Sequence, residues 1–219
     1  MTYNVRHGEC SSLAAVASAA AAFRPDVLAI QELDRGTVRS RGADQPAELA
    51  RALGLAPVFV RTTGFDGGDY GHALFSRFPI LSQEVVPLPF TEEPRSLLRL
   101  RLAAPGGALE IASVHLGLDA RLRLRQAELI RRRLAGRPRL LLLGDLNEEP
   151  TGPVQRELRG SLRDCHGELG EAEGWTFPAP TPTKRIDFIY RSPDLPPPGS
   201  AGRLDERLLS DHLPVWAVW

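Results

Sequence analysis

Five groups of polar residues stand at the ends of apolar runs: Asn4; Gln31-Glu32; His115; Asp145 with Asn147; and Asp187 with Ser210-Asp211-His212. Their side chains are of the kinds that move protons and hold cations. Singly, most have ordinary explanations, since an asparagine after a strand is a common turn residue and a lone histidine is commonly structural. Glu32 differs because it interrupts the apolar run Val27 to Leu33, and an ionised carboxylate near a sheet core is costly unless paired or metal-bound. In Leu140-Leu141-Leu142-Leu143-Gly144-Asp145-Leu146-Asn147, four leucines drive a strand into the core and glycine permits a tight backbone. Asp145 and Asn147 then emerge two residues apart, on one side if the chain stays extended. Ser210-Asp211-His212-Leu213-Pro214-Val215 likewise puts an acid and an imidazole at the mouth of a closing strand.

In order and spacing these segments resemble the endonuclease/exonuclease/phosphatase superfamily of metal-dependent phosphoesterases, over almost the whole chain. The matching strings are TYNVRHG from Thr2, PDVLAIQELD from Pro25, YGHALFSRFPI from Tyr70, SVHLG from Ser113, GDLNEEP from Gly144, RIDFIY from Arg185 and SDHLPV from Ser210. The resemblance implies a single domain over residues 1–219 with an α/β fold, a four-layer αββα sandwich of two central mixed β-sheets flanked by helices. It also implies roles. Glu32 would be the main divalent-metal ligand, with Asn4 and, through water, Asp211. A hard oxygen site with few protein ligands suits Mg²⁺, which keeps several waters and accepts phosphate oxygens, with Mn²⁺ as a substitute. Asp145 would orient and deprotonate the attacking water, with Asn147 holding it or a phosphoryl oxygen. Asp187 would fix the tautomer of His212, whose imidazolium meets the developing charge. His115 would be a second phosphate contact or a general acid. The implied reaction is phosphate ester hydrolysis, on a phosphorylated small molecule or on nucleic acid.

Three further residues are candidates for substrate contact. Arg39, in Arg39-Ser40-Arg41, and Arg95, after Glu93-Pro94, lie in segments resembling bacterial members of uncertain substrate. Each could clamp a phosphate through paired hydrogen bonds, or form a loop salt bridge. His72 stands where many members have asparagine and reads equally as a strand-end polar residue. The first strand is another departure: only two residues precede Tyr3 where members have a longer apolar run, which predicts a start displaced downstream.

Strands are expected at Tyr3 to Val5, Val27 to Leu33, Ala56 to Val60, His72 to Phe75, Ile80 to Leu88, Ser96 to Ala103, Leu109 to Leu116, Leu140 to Leu143, Asp187 to Tyr190 and Leu213 to Trp219. Helices are expected from Ser11 or Ser12 to Phe23, Asp44 to Leu53, and Asp119 to Ala135, the second closed by Gly54. Ala104-Pro105-Gly106-Gly107 reads as a hairpin turn. The strand-rich halves on either side of Asp119 suggest two sheets. After Pro150 the proline- and glycine-rich chain gives little periodicity to read. The helix with Arg121, Arg123, Arg125, Arg131, Arg132 and Arg133 carries an apolar stripe of Leu118, Leu122, Leu129 and Leu134, leaving its arginines on a solvated face.

Composition narrows the partners. Twenty-seven basic residues balance twenty-seven acidic ones, which argues against a binder that grips polyanions by bulk charge. Among the basic residues Lys184 is the single lysine, a skew that fits a GC-rich genome. Cys10 and Cys165 make no disulfide framework and fit reduced thiols in a cytoplasmic protein. No run reaches the roughly 18 apolar residues of a membrane span. The alanine-rich stretch Leu13 to Phe23 imitates a signal peptide, but reads better as a helix because cleavage there would discard Asn4. The expectation is a monomeric enzyme, with a nuclease as the alternative and a catalytically silent phosphate-binding module as a reading the intact polar set opposes.

Overall fold

The computed structural model describes residues 1–169 and 174–219. Twelve strands and five α-helices occur among the described residues. In chain order they are β1 (Thr2–Asn4), α1 (Leu13–Phe23), β2 (Val27–Arg35), α2 (Gln45–Leu53), β3 (Ala56–Phe65), β4 (Gly68–Ser76), β5 (Ile80–Leu88), β6 (Arg95–Ala104) and β7 (Gly107–His115). They continue with α3 (Ala120–Leu134), β8 (Leu140–Asp145), α4 (Pro153–Arg159), β9 (Arg163–Asp164), α5 (Cys165–Glu168), β10 (Asp187–Arg191), β11 (Ser200–Arg203) and β12 (Val215–Val218). One six-stranded sheet has the order β11-β12-β1-β2-β4-β3 and the other β5-β6-β7-β8-β10-β9. Both are mixed, with β1–β2 and β7–β8 parallel and the other pairs antiparallel.

Period-two alternation along each strand builds three apolar interfaces, which is what four layers require. Leu28 and Ile30 face outward, into a core with Val16, Ala17 and Ala20 of α1 and Leu49 of α2. Ala29 between them faces inward, meeting Leu98, Leu100, Leu102, Ile111 and Leu143 of the other sheet. Ala112, Val114, Leu140 and Leu142 point the opposite way, onto Ala127, Ile130 and Leu134 of α3 and Val154 and Leu158 of α4. The fold is therefore an αββα sandwich.

The chain changes sheet between Ser76 and Ile80 rather than near Asp119, and β11 and β12 return to the first sheet at its end. Sequence halves suggest the number of sheets but cannot register a strand that closes back over a long separation. In α3, Gln126 and Ala127 are buried with Ile130 and Leu134, whereas Leu118 precedes the helix and is exposed. Arg123 also leaves the solvated face to reach Glu148, at 3.3 Å. α4, α5, β9 and β11 lie in the segment where periodicity was uninformative; they are short, and packing rather than pattern selects them. Cys10 is exposed and Cys165 buried, and both are free. No helix among the described residues is long and apolar enough to cross a membrane.

Candidate active site

Register brings the chemistry together. His115 at the end of β7 is the Cα partner of Asp145 on β8, and Asp145 is the partner of Asp187 on β10. Partners in a ladder project to the same face, so three residues far apart in sequence form one row across three strands. In the other sheet Asn4 ends β1 beside Gln31 on β2. Asn4 Nδ2 donates to Glu32 Oε1 at 2.9 Å and to Asp145 Oδ2 at 3.1 Å, tying the two sheets at one point.

Two local backbone features aim these side chains. The pairing of β2 with β4 shifts register between Ile30 and Leu33, and Glu32 within the shift has φ 59°. The extra residue keeps Leu33 on the same helix-facing core as Leu28 and Ile30 while Glu32 turns out of the ladder. Positive φ on a residue with a Cβ is strained, and such strain persists where surroundings enforce it. The second feature is Gly144, with φ 148°; a Cβ there would lie 2.0 Å from the Val114 carbonyl oxygen. Only glycine lets β8 run this close to β7 and deliver Asp145 beside His115. Asn147, at φ 50°, then turns back: its amide N–H donates to Asp145 Oδ1 at 2.8 Å, and its side chain donates to the Leu116 carbonyl at 2.8 Å.

Asp145 Oδ2 is the hub, with His115 Nε2 at 3.5 Å and His212 Nε2 at 3.7 Å. His212 Nδ1 lies 2.9 Å from Asp187 Oδ2, which also accepts from the Thr176 hydroxyl at 2.6 Å. The ring of Phe177 packs against the His212 imidazole at 4.9 Å between centroids. Ser210 holds the loop by donating to the Asn4 carbonyl at 2.8 Å. Asp211 is half-buried, with Oδ2 3.3 Å from Arg6 Nη1.

The electrostatics follow from this crowding. Burial pushes the Asp145 carboxyl up to about 7, and the Asp187 charge pushes the same way, against the pull of His212 and the bonds from Asn147 and Asn4. Burial by itself would lower His212, but the Asp187 and Asp145 carboxylates outweigh it and raise it to about 10. His115 is held well below its ordinary value, by burial first and then by the Arg95, His212 and His72 charges. The centre thus pairs an imidazolium with a carboxylate poised near neutrality, the separation of proton affinities that acid–base chemistry needs.

Among the described residues, Asp145, Asp187 and His212 offer potential ligand atoms within 4.8 Å of one another. In this cluster His212 turns Nδ1 to Asp187 at 2.9 Å and Nε2 toward Asp145 at 3.7 Å, so both ring nitrogens face carboxylates. The oxygen donors on the other side of Asp145, on Asn4 and Glu32, fit a hard cation better. Glu32 keeps Oε2 free of hydrogen bonds apart from a 4.0 Å approach of His7, and Asp187 Oδ1 is buried without a partner.

The three substrate-contact candidates fare differently. Arg39 donates from Nε and Nη2 to the two oxygens of buried Asp34, at 2.7 and 2.8 Å, and stacks on Phe65 at 4.3 Å. This is the loop salt bridge, not a free phosphate clamp. His72 is buried between the sheets with Nε2 2.9 Å from Ser96 Oγ and Nδ1 3.4 Å from Ser113 Oγ, so both ring nitrogens are engaged. Arg95 is buried against His115 itself. Sequence reasoning missed Thr176, which braces Asp187, and Glu148, which accepts from the Val154 N–H at 2.7 Å and anchors the turn after Asn147. Thr176 carries no sequence signal, but Glu148 was present in the GDLNEEP string. His7 beside Glu32 was also missed, although it sits in TYNVRHG.

The model of the Endonuclease/Exonuclease/phosphatase family matches residues 1–212. The chain belongs to that family. No curated protein matches it in sequence. Among solved structures, a mannosyl-6-phosphatase of Bacteroides thetaiotaomicron superposes with a TM-score of 0.81 at 20% identity, covering 100% of this chain and 98% of that one. A functionally unknown conserved protein of Enterococcus faecalis also gives 0.81 at 20%, covering 99% and 96%. A humanized D. rerio TDP2 gives 0.80 at 22%, covering 99% of this chain and 96% of that one. At such identities these likenesses describe the fold of this family member, not its substrate.

Proposed function

We propose that this family member is a divalent-metal-dependent phosphoesterase that hydrolyses a phosphodiester or a soluble phosphomonoester by in-line attack of water. The observation that carries the reading is the in-register row His115–Asp145–Asp187 closed by His212, with Glu32 joined to Asp145 through Asn4. Asp145 orients the attacking water and takes its proton, a role suited to a carboxyl pushed up to about 7. Asn147 helps to place that water or a phosphoryl oxygen. His212, kept charged by Asp187, faces the charge that develops on the phosphoryl oxygens, and His115 contributes a second contact from the opposite side of Asp145. Phosphoryl transfer depends chiefly on positioning and charge stabilisation, which this set supplies.

Glu32 and Asn4 would hold the cation, with Asp211 reaching it through water; Mg²⁺ is the expected ion and Mn²⁺ a substitute. Bound there, it would polarise a phosphate oxygen and offset the negative charge gathered around Asp145. His72 and Arg39 are not assigned substrate contacts, because both His72 ring nitrogens and the Nε and Nη2 atoms of Arg39 are already bonded within the protein. We take the protein to be a monomer acting in the cytoplasm.

A small phosphomonoester is one reading, of the kind named for the mannosyl-6-phosphatase among its structural neighbours. A nuclease is the second reading, favoured by the neighbouring D. rerio TDP2 bound to a single-strand DNA product and opposed by the zero net charge. The test is Mg²⁺-dependent hydrolysis of a bis-aryl phosphate, beside sugar phosphates and single-stranded, duplex and abasic DNA, with Asp145→Asn as control. No turnover on any of these, or turnover that survives the substitution, would overturn the proposal.

A further inference from the structure

His115 is the one member of the catalytic row whose second ring nitrogen meets a cation. Arg95, at the start of β6, places Nη1 2.9 Å from His115 Nδ1. A guanidinium has donors only and stays protonated at every pH a protein survives. The Nδ1 atom therefore has to accept, which leaves the ring's proton on Nε2, the nitrogen 3.5 Å from Asp145 Oδ2. The arginine is itself held: Nη2 donates to Glu93 Oε2 at 3.0 Å, and the side chain is almost wholly buried. We propose that Arg95 is a positioning residue that locks His115 as a neutral imidazole with its Nε2–H aimed at the reacting phosphoryl group.

The charged and titratable groups around this ring are Arg95 from β6, Asp145 from β8, His212 from the loop before β12 and His72 from β4. Three of the four disfavour a second proton on it. Locked in this way, His115 can donate a hydrogen bond to a phosphoryl oxygen but has no spare proton to deliver to a leaving group. Of the two roles sequence leaves open for His115, phosphate contact and general acid, the pairing selects the first. This consequence rests on the proposed phosphoesterase reading; the tautomer does not.

Ring-nitrogen NMR of histidine-labelled protein tests the lock directly, with His115→Gln assigning the signals. The expected result is one tautomer, Nδ1 bare and Nε2 protonated, with no titration between about pH 5.5 and pH 8.5, the span in which an ordinary histidine changes charge. Arg95→Met should release the ring to mixed tautomers or to titration in that span, whereas Arg95→Lys, which still donates, should preserve the wild-type signature. In turnover, Arg95→Met should lower kcat roughly 10–100-fold, the size typical of removing a partner that orients a reacting side chain. KM should move far less, and Arg95→Lys should recover part of the loss. A proton on Nδ1 of the wild-type ring overturns the proposal whether or not the variants fold, and so does an unchanged tautomer in folded Arg95→Met. If the tautomer is as expected but no phosphate ester is turned over, the lock stands and the phosphoesterase reading fails.

Discussion

Asp187→Asn isolates the charge that keeps His212 protonated. The rise of His212 from 6.5 to about 10 is worth about 5 kcal/mol at roughly 1.4 kcal/mol per tenfold change, contributed by Asp187, Asp145 and the Asp187 hydrogen bond together against the cost of burial. Asparagine keeps the size of the side chain and an oxygen for the Thr176 hydroxyl, so the site should hold its shape. Without the Asp187 charge, burial gains the upper hand and the ring becomes neutral at pH 7. Loss of one charge-stabilising donor in the transition state typically costs about 10²–10³ in kcat, and that is the fall expected here. Stability carries the same signature. A folded-state pKa above the unfolded one stabilises the native state fully below about pH 6.5, and that contribution is lost as pH rises through about 10. Urea denaturation of the wild type should therefore show stability declining across this window, with the decline shallower or absent in Asp187→Asn. A variant with turnover within threefold of wild type, or with His212 still titrating near 10, would refute the reasoning.

Other perturbations test other parts of the site. Gly144→Ala should give insoluble protein or a loss exceeding about 4 kcal/mol in denaturant, since its Cβ would meet the Val114 carbonyl at 2.0 Å and no flexible side chain can yield. Chelation should abolish turnover and added Mg²⁺ restore it, while Glu32→Gln should raise the Mg²⁺ concentration for half-maximal rate by about 10–100-fold with an unchanged circular dichroism spectrum. Arg39→Met should cost stability toward the lower end of roughly 3–5 kcal/mol, because Asp34 is wholly buried and its carboxylate would keep the Thr37 hydroxyl bond at 2.8 Å without a cation to balance its charge. Its KM should stay close to wild type; a large rise in KM with normal stability would restore Arg39 as a substrate contact.

Much of the fold is legible in the sequence because burial imposes periodicity. The four leucines before Gly144 and the alternation from Ser96 to Ala103 can be read without coordinates, and β5 is found to the residue at Ile80–Leu88. What escapes is short or settled by distant contact. The third strand runs on from Val60 to Phe65, since its last residues are held by pairing with β4 rather than by their own apolar pattern. α4 and β9 are too short for periodicity to accumulate, and their order depends on α3 and β10.

The chemistry-bearing residue types belong to the sequence: a glutamate inside an apolar strand, an aspartate and asparagine after Gly144, a histidine next to Asp211. Tertiary structure decided which of them meet. His115, Asp145 and Asp187 become neighbours only because β7, β8 and β10 pair in one register, and a slip by a single residue would turn them to the other face. It also decided what the arginines do. From sequence, Arg39 and Arg95 look alike, each a cation near the cleft that could take a phosphate. In the folded chain one closes a buried ion pair with Asp34 and the other faces an imidazole nitrogen. A guanidinium's role depends on which acceptor lies within 3 Å of it: Asp34 stands five residues before Arg39 in the chain, whereas His115 comes beside Arg95 only through the pairing of β6 with β7.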